Sequence, residues 1–330
     1  MATLTQPTTA GPRWDLRRLG SQYGVYVFAV LVFLATCIFM PGFLSVASIK
    51  SLLVLASILG IASIGQTLAI IVGGLDLSVA SMIGLSSVSL AVLSARGWSF
   101  ATTFLLILAV AVVVGVLNGL LAHRLQAPAL VVTLASGSIL TGVTMMLNKG
   151  SAGGTIPEWI TESVSVNATT LGIPMPLVVL VWVALTGVLV LLQRRSPSFR
   201  RIYASGMNPT AARLALVRLP VVWASAFAAS AAAAAIAGIF LGGFSGGANI
   251  DVGQPYLFLT IAAVVVGGTS LLGGRGGVGR TLAGAFLISN LTTLLLGVGV
   301  GTNVQQILLG TLIVALVYLY GREAHVRTRI

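Results

Sequence analysis

Apolar residues collect in ten stretches along this chain, at approximately 23–40, 50–72, 79–95, 100–121, 128–148, 175–193, 220–241, 255–272, 281–297 and 303–320. Each is long enough to cross about 30 Å of hydrocarbon as a helix, so the pattern predicts an all-α integral membrane protein with about ten transmembrane helices. The third and ninth stretches are short and carry Gly and Ser. They are the candidates for a broken or re-entrant helix, which is tolerated only where protein shields the backbone from lipid.

Basic residues then orient the helices. With the N-terminus inside, the cytoplasmic segments hold Arg13, Arg17, Arg18, Arg124, Arg194, Arg195, Arg200, Arg201, Arg213, Arg218, Arg275, Arg280, Arg322, Arg327 and Arg329. The external side keeps Lys50, Arg96 and Lys149, three against fifteen. Cytoplasmic loops carry the excess of Lys and Arg, and an odd helix count would put the C-terminal arginines outside. Both termini are therefore expected in the cytoplasm. The division is a cytoplasmic tail at 1–22, a membrane domain at 23–320 with a long cytoplasmic loop at 194–219, and a second tail at 321–330. Arg13, Arg17 and Arg18 resemble a signal-peptide n-region. The run from Tyr23 to Met40 is too long for an h-region, however, and Pro41-Gly42-Phe43 offers no cleavage site, so an uncleaved first helix is expected.

Composition agrees. Hydrophobic residues make up 57% of the chain and charged residues 7%, against about 25% charged in a soluble domain. So few charges cannot coat a soluble fold, whereas lipid needs no polar coat. The net charge of +12 reads as the cytoplasmic Arg bias, since no basic stripe with interleaved aromatics points to a nucleic acid. Six acids, two histidines and the single Cys37 form no catalytic or metal-binding cluster, which argues against an enzyme and against a resident cofactor. An ion-coupled secondary transporter uses intramembrane acids or histidines. Here only Asp76 qualifies, since His123 and His325 lie at cytoplasmic ends.

Three motifs interrupt the apolar pattern. Gly73-Gly74-Leu75-Asp76-Leu77-Ser78 separates the second and third helices, and Asp76 there is either a cap near the cytoplasmic interface or a functional carboxylate. Gly267-Gly268-Thr269-Ser270-Leu271-Leu272-Gly273-Gly274-Arg275-Gly276-Gly277 lies between the eighth and ninth helices. Its continuation Gly274–Thr281 resembles a phosphate loop with Arg in place of Lys, but lacks the preceding strand that such a loop requires. The chain alone is expected not to hydrolyse ATP. The third motif lies in the 194–219 loop and includes Tyr203, Gly206, Asn208, Ala211, Ala212 and Arg213. Asn208 or Thr210 can cap a short helix opened by Pro209 or Ala211, either lying on the membrane surface or docking a cytoplasmic subunit. On the outside, the 149–174 loop contains Glu158, Trp159 and Glu162, and the 242–251 loop, with Gly242-Gly243-Phe244-Ser245-Gly246-Gly247, is flexible by composition.

Together these motifs resemble the ribose-type, or simple-sugar, branch of ABC-transporter permeases over roughly residues 45–320. Gly73 to Ser81 is similar to that family's Gly-Gly-x-Asp-Leu-Ser-x-x-Ser signature. Ala262 to Leu271, with Gly267, Gly268, Thr269 and Ser270, followed by Gly273-Gly274, is similar to a second. Tyr203, Gly206, Asn208, Ala211, Ala212 and Arg213 are similar to the loop that contacts the ATPase. The resemblance implies the membrane subunit of an ATP-driven importer in the cytoplasmic membrane, with the architecture of the vitamin B12 permease. It implies as partners a second permease subunit (in a homodimer or heterodimer), a cytoplasmic ATP-binding subunit and an extracytoplasmic solute-binding protein. Leu257 and Leu259 stand where many pentose permeases carry acids, and branched-chain amino-acid permeases share part of the first signature, so a sugar and an amino acid both remain open as solutes. Gln66, Asn118, Asn290 and Asn303 are candidate path-lining groups, against the plainer role of bonding between helices.

Overall fold

A computed structural model of the protein describes residues 16–148 and 154–321. The expectations for Arg13, Lys149, Arg322, His325, Arg327 and Arg329, and for most of both terminal tails, fall outside these residues. The described chain is mainly helical, its one strand-like feature among the described residues being an antiparallel bridge between Thr170 and Ile173.

Ten helices coincide with the ten apolar stretches: α1 (Leu16–Phe39), α2 (Val46–Val72), α3 (Val79–Ala95), α4 (Phe100–Arg124), α5 (Ala129–Asn148), α7 (Leu177–Arg195), α10 (Leu219–Ser245), α11 (Tyr256–Val266), α12 (Val278–Gly297) and α13 (Thr302–Gly321). Three short ones lie between them, α6 (Glu158–Ser163), α8 (Pro197–Met207) and α9 (Pro209–Leu214). Among the described residues, α2, α4, α5, α7, α10 and α12 are long and apolar enough to cross a membrane, and four shorter apolar stretches accompany them. Because α1 starts at Leu16, part of the segment expected as a tail is helix.

Burial separates the centre from the rim. The most apolar stretch of α2 is 94% buried, against 22% for α5 and for α7. Around α2 stand α10, α12 and α11, while α3 is clamped between α10 and α5. On the rim, Leu34, Leu105, Val113, Ile139, Val188, Leu191 and Val314 point outward, as lipid-facing positions do. Close approach at the centre depends on small residues. Gly115 and Gly119 of α4 are spaced to meet α10, where a Cβ on Gly119 would stand 2.5 Å from the Trp223 carbonyl oxygen and one on Gly115 2.4 Å from that of Phe227. Such spacing lets two backbones pack in van der Waals contact without a large side chain between them.

The breaks lie elsewhere than expected. Segments three and nine are uninterrupted helices, α3 and α12. The eighth stretch, expected to be continuous over 255–272, is helical only to Val266. Eleven residues of α11 cover about 16 Å at the helical rise, roughly half a membrane. The chain on both sides of it is irregular, including a 3-10 turn at Ile250–Gly253. The sequence 242–247, expected to be a flexible loop, is helical up to Ser245, because Gly242 and Gly243 are buried against Ser87 of α3 and Ile160 of α6. Packing supplies there what Gly lacks in propensity. Trp159 of α6 meets Phe100 edge-on at 4.4 Å, and α6 also packs on α10, so it straps this end of the bundle.

Candidate functional site

The 194–219 loop is built by two caps. Ser196 accepts a hydrogen bond from the Ser198 N–H at 3.2 Å and Pro197 occupies the first turn, which starts α8. Asn208 then breaks the helix in an extended conformation and accepts from the Ala211 N–H at 3.0 Å, which starts α9. Asn208, not Thr210, is therefore the cap, and one expected short helix is two. Of this corner, Met207, Leu214 and Leu216 are exposed large apolar residues, at 59%, 82% and 90%.

At its other end α2 stops in a left-handed residue, Gly73, at φ 102°. The Gly73 and Gly74 N–H groups fold back onto Ile70 (3.0 Å) and Ala69 (2.9 Å), the paired arrangement that satisfies the last carbonyls of a helix. The Ile71 carbonyl is left, and the Gly274 N–H donates to it at 2.8 Å. Gly206 of α8 lies on the same carbonyl: a Cβ there would be 1.9 Å from Ile71 O and 2.6 Å from Gly274 N. A Cβ on Gly273 would in turn be 3.1 Å from the Gly73 Cα. The three sequence motifs thus meet backbone to backbone at a single junction.

Hydrogen bonds continue the junction sideways. The Tyr203 hydroxyl donates to the Gly276 carbonyl at 2.8 Å and accepts from Gln193 Nε2 at 3.3 Å. Gln193 Oε1 accepts from the Val278 N–H, at the start of α12, at 3.2 Å. Burial pushes the Tyr203 phenol up from its ordinary pKa, with the Arg280 charge opposing, so it remains a donor at neutral pH. The segment resembling a phosphate loop follows irregular chain instead of a strand, and a side chain occupies its first helical N–H.

Asp76 stands deeper. Its Oδ1 accepts from both the N–H and the hydroxyl of Ser78, and Asn118 of α4 donates to that hydroxyl at 3.1 Å. Thr133 of α5 accepts from the Leu77 N–H at 3.0 Å and donates to the Leu75 carbonyl at 3.2 Å. Asp76 is 1% exposed. Asn118 lies six residues before the end of α4, about 9 Å inward. The turn is therefore inside the bundle, not at its surface as the capping reading expected, and Asp76 ties down the residue preceding α3 instead of sitting on its exposed end.

The remaining positions divide clearly. Tyr203, Gly206 and Ala212 pack inward, whereas Asn208, Ala211 and Arg213 are exposed. Gly267 ends α11, Gly268 takes a positive φ of 79°, Thr269 is buried, and Ser270 closes a loop by donating its N–H to Arg275 O at 3.0 Å. Gln66, Asn118 and Asn290 are at most 1% exposed. Asn118 bonds to Ser78, and Asn290 accepts from Thr36 of α1 at 3.1 Å, so both join helices. Asn303 is exposed. Sequence reading missed α8, although Ser196-Pro197 is a helix-start signal.

A family model described as branched-chain amino acid transport system / permease component matches residues 48–317. Over 304 residues the chain is 30% identical to the ribose import permease protein RbsC of Bacillus subtilis (strain 168), covering 92% of each chain. It is 30% identical over 264 residues to the autoinducer 2 import system permease protein LsrD of Klebsiella pneumoniae, covering 78% of this chain and 79% of the other. A third relative is the probable ABC transporter permease protein YphD of Escherichia coli (strain K12), 31% identical over 324 residues, or 96% of each. No solved structure matches the chain.

Proposed function

The chain belongs to the permease-component family of the branched-chain amino acid transport type, and from that premise we propose that it carries a monosaccharide-like solute inward through the cytoplasmic membrane, as the multi-pass subunit of an ATP-driven importer. It is a transport subunit and not an enzyme; ATP hydrolysis belongs to a separate subunit. Relatives named for ribose and autoinducer 2 support a sugar-like cargo over an amino acid. A solute-binding protein delivers the cargo from outside. Two permease copies, or this chain and a homologous one, enclose the path, each with ten crossings and both termini inside, and the membrane domain of each is followed by a cytoplasmic tail.

The observation that carries the coupling part is the junction. ATP-driven closure must reach the membrane domain through contacts that differ between two states. The α8–α9 corner is exposed on its outer face at Asn208, Ala211, Arg213 and Leu214, while its inner face is keyed by Gly206 into the ends of α2 and of the 267–277 loop. A push on α9 is thereby delivered to two buried elements at once. Ala211→Glu and Arg213→Glu, both on exposed side chains, are expected to abolish ATPase co-purification and uptake while leaving membrane insertion normal. Association and uptake at wild-type levels in both variants would overturn this placement. Binding of a sugar panel and an amino-acid panel to the cognate solute-binding protein separates the two cargo classes.

A further inference from the structure

The irregular leg ahead of α11 runs down into the bundle. Ala248 packs among Val88, Ala91 and Val92 of α3. Two residues on, the Ile250 carbonyl oxygen would be 2.7 Å from a Cβ on Gly84, and a Cβ on Gly253 would be 2.0 Å from the Ala80 carbonyl oxygen. The leg therefore descends antiparallel to α3 from Ala91 to Ala80, about 16 Å at the helical rise, and Ala80 is about 22 Å from the Ala95 end of that helix. This is membrane depth. Yet Asn249, Asp251, Gln254 and Phe258 are exposed there. Asn249 Oδ1 accepts from the Asp251 N–H at 2.9 Å, but among the described residues neither the Asp251 carboxylate nor the Gln254 amide has a protein hydrogen-bond partner.

Non-helical backbone and unpaired polar side chains at this depth are stable only against protein or water, not against lipid. On one flank of the leg lies α5, whose Thr141 hydroxyl donates to Ser81 of α3 at 3.1 Å and whose Ser138 is exposed. Exposed polar side chains on a leg that leads into an exposed aromatic ring are the ingredients of a small-molecule site. We propose that Asn249, Asp251, Gln254 and Phe258 line a water-filled path at mid-membrane and meet a small polyhydroxylated solute there, Asp251 and Gln254 offering acceptors and donors to its hydroxyls and Phe258 an apolar face to its ring. The choice of solute class rests on the importer reading; the wet path does not. Interrupted spans place solute sites at this depth in transporters of other kinds. Gln66, Asn118 and Asn290, being buried between helices, are not on this path.

Thiol accessibility in the full transporter tests it. In a Cys37→Ser background, Asp251→Cys, Gln254→Cys and Phe258→Cys are treated with a membrane-impermeant, positively charged methanethiosulfonate, beside Leu191→Cys on the outer face of α7. The expected result is modification of the three path positions at least tenfold faster than at Leu191, with uptake lost on modification. Gln254→Trp, a plug at an exposed position, is expected to lower uptake at least tenfold with ATPase co-purification unchanged. Rates at all three positions no faster than at Leu191, or normal uptake in Gln254→Trp, would each overturn the path. Fast modification in a transporter that takes up no sugar would leave the path standing and count against the sugar reading instead.

Discussion

A carboxylate in a membrane protein invites a charge-based role, but the bonds around Asp76 describe an acceptor. One oxygen takes both the N–H and the hydroxyl of Ser78, and the amide oxygen of Asn can do the same. Asp76→Asn is expected to retain most uptake. Asp76→Leu leaves the Ser78 N–H buried without a partner, at about 1–3 kcal/mol, and is expected to lower both thermal stability and uptake. Loss of uptake in a well-folded Asn variant would restore the charge. Gly206 has the opposite difficulty, space instead of bonding. Gly206→Val brings methyl groups onto the Ile71 carbonyl and is expected to destabilise the junction by about 1–3 kcal/mol, the usual range for overpacking. Melting of the purified variant at the wild-type temperature would contradict that geometry. The residue identities were legible in sequence while their directions were not. Ala212 read as a surface for a partner and is buried in its own chain, because which face of a six-residue helix turns inward is decided by Val217 and α10, not by local pattern.

At the scale of the element, hydropathy located every apolar helix, the eleven-residue α11 included, since lipid is a uniform solvent. It missed two things for one reason. The α8 helix is amphipathic and polar on average, so no apolar stretch announces it, and the apolar pair Leu271-Leu272 carries the eighth stretch past Gly267-Gly268-Thr269-Ser270, where α11 has already ended. The descending leg at 246–255 read as an external loop because its polar residues announce water, and nothing in the local pattern shows that they stand alongside α3 between Ala91 and Ala80. Helix contacts built on Gly115 and Gly119 are a further case of spacing with a mechanism. Gly119→Leu is expected to lower the melting temperature by several degrees and Gly142→Leu, where no atom lies within 4 Å of the added Cβ, to leave it unchanged. Equal melting of the two would refute close α4–α10 packing.

For the whole molecule, charge placement and packing agree on two unlike ends. Arg124, Arg213 and Arg218 border one cleft with His123, beside the exposed Arg194, Arg195, Arg200 and Arg201, and Arg96 stands at the other end of the bundle. A reporter fused after Arg201 is expected to be active only in the cytoplasm and one fused after Trp98 only outside; the reverse pattern would invert the molecule. The near-total burial of α2 also bears on how such a bundle is made. Its main neighbour α10 begins about 170 residues later in the chain, roughly 10–30 s of ribosome time at ordinary elongation rates. Throughout that interval α2 lacks the helix that packs on it most, and its mean hydropathy of 2.0 suits it to lipid as a lone span. The residue with the least tolerance for that wait is Gln66, inside α2 and fully buried in the finished bundle, because an amide in hydrocarbon is costly. Residues at the centre of this permease must therefore suit two solvents in succession, first hydrocarbon and then protein.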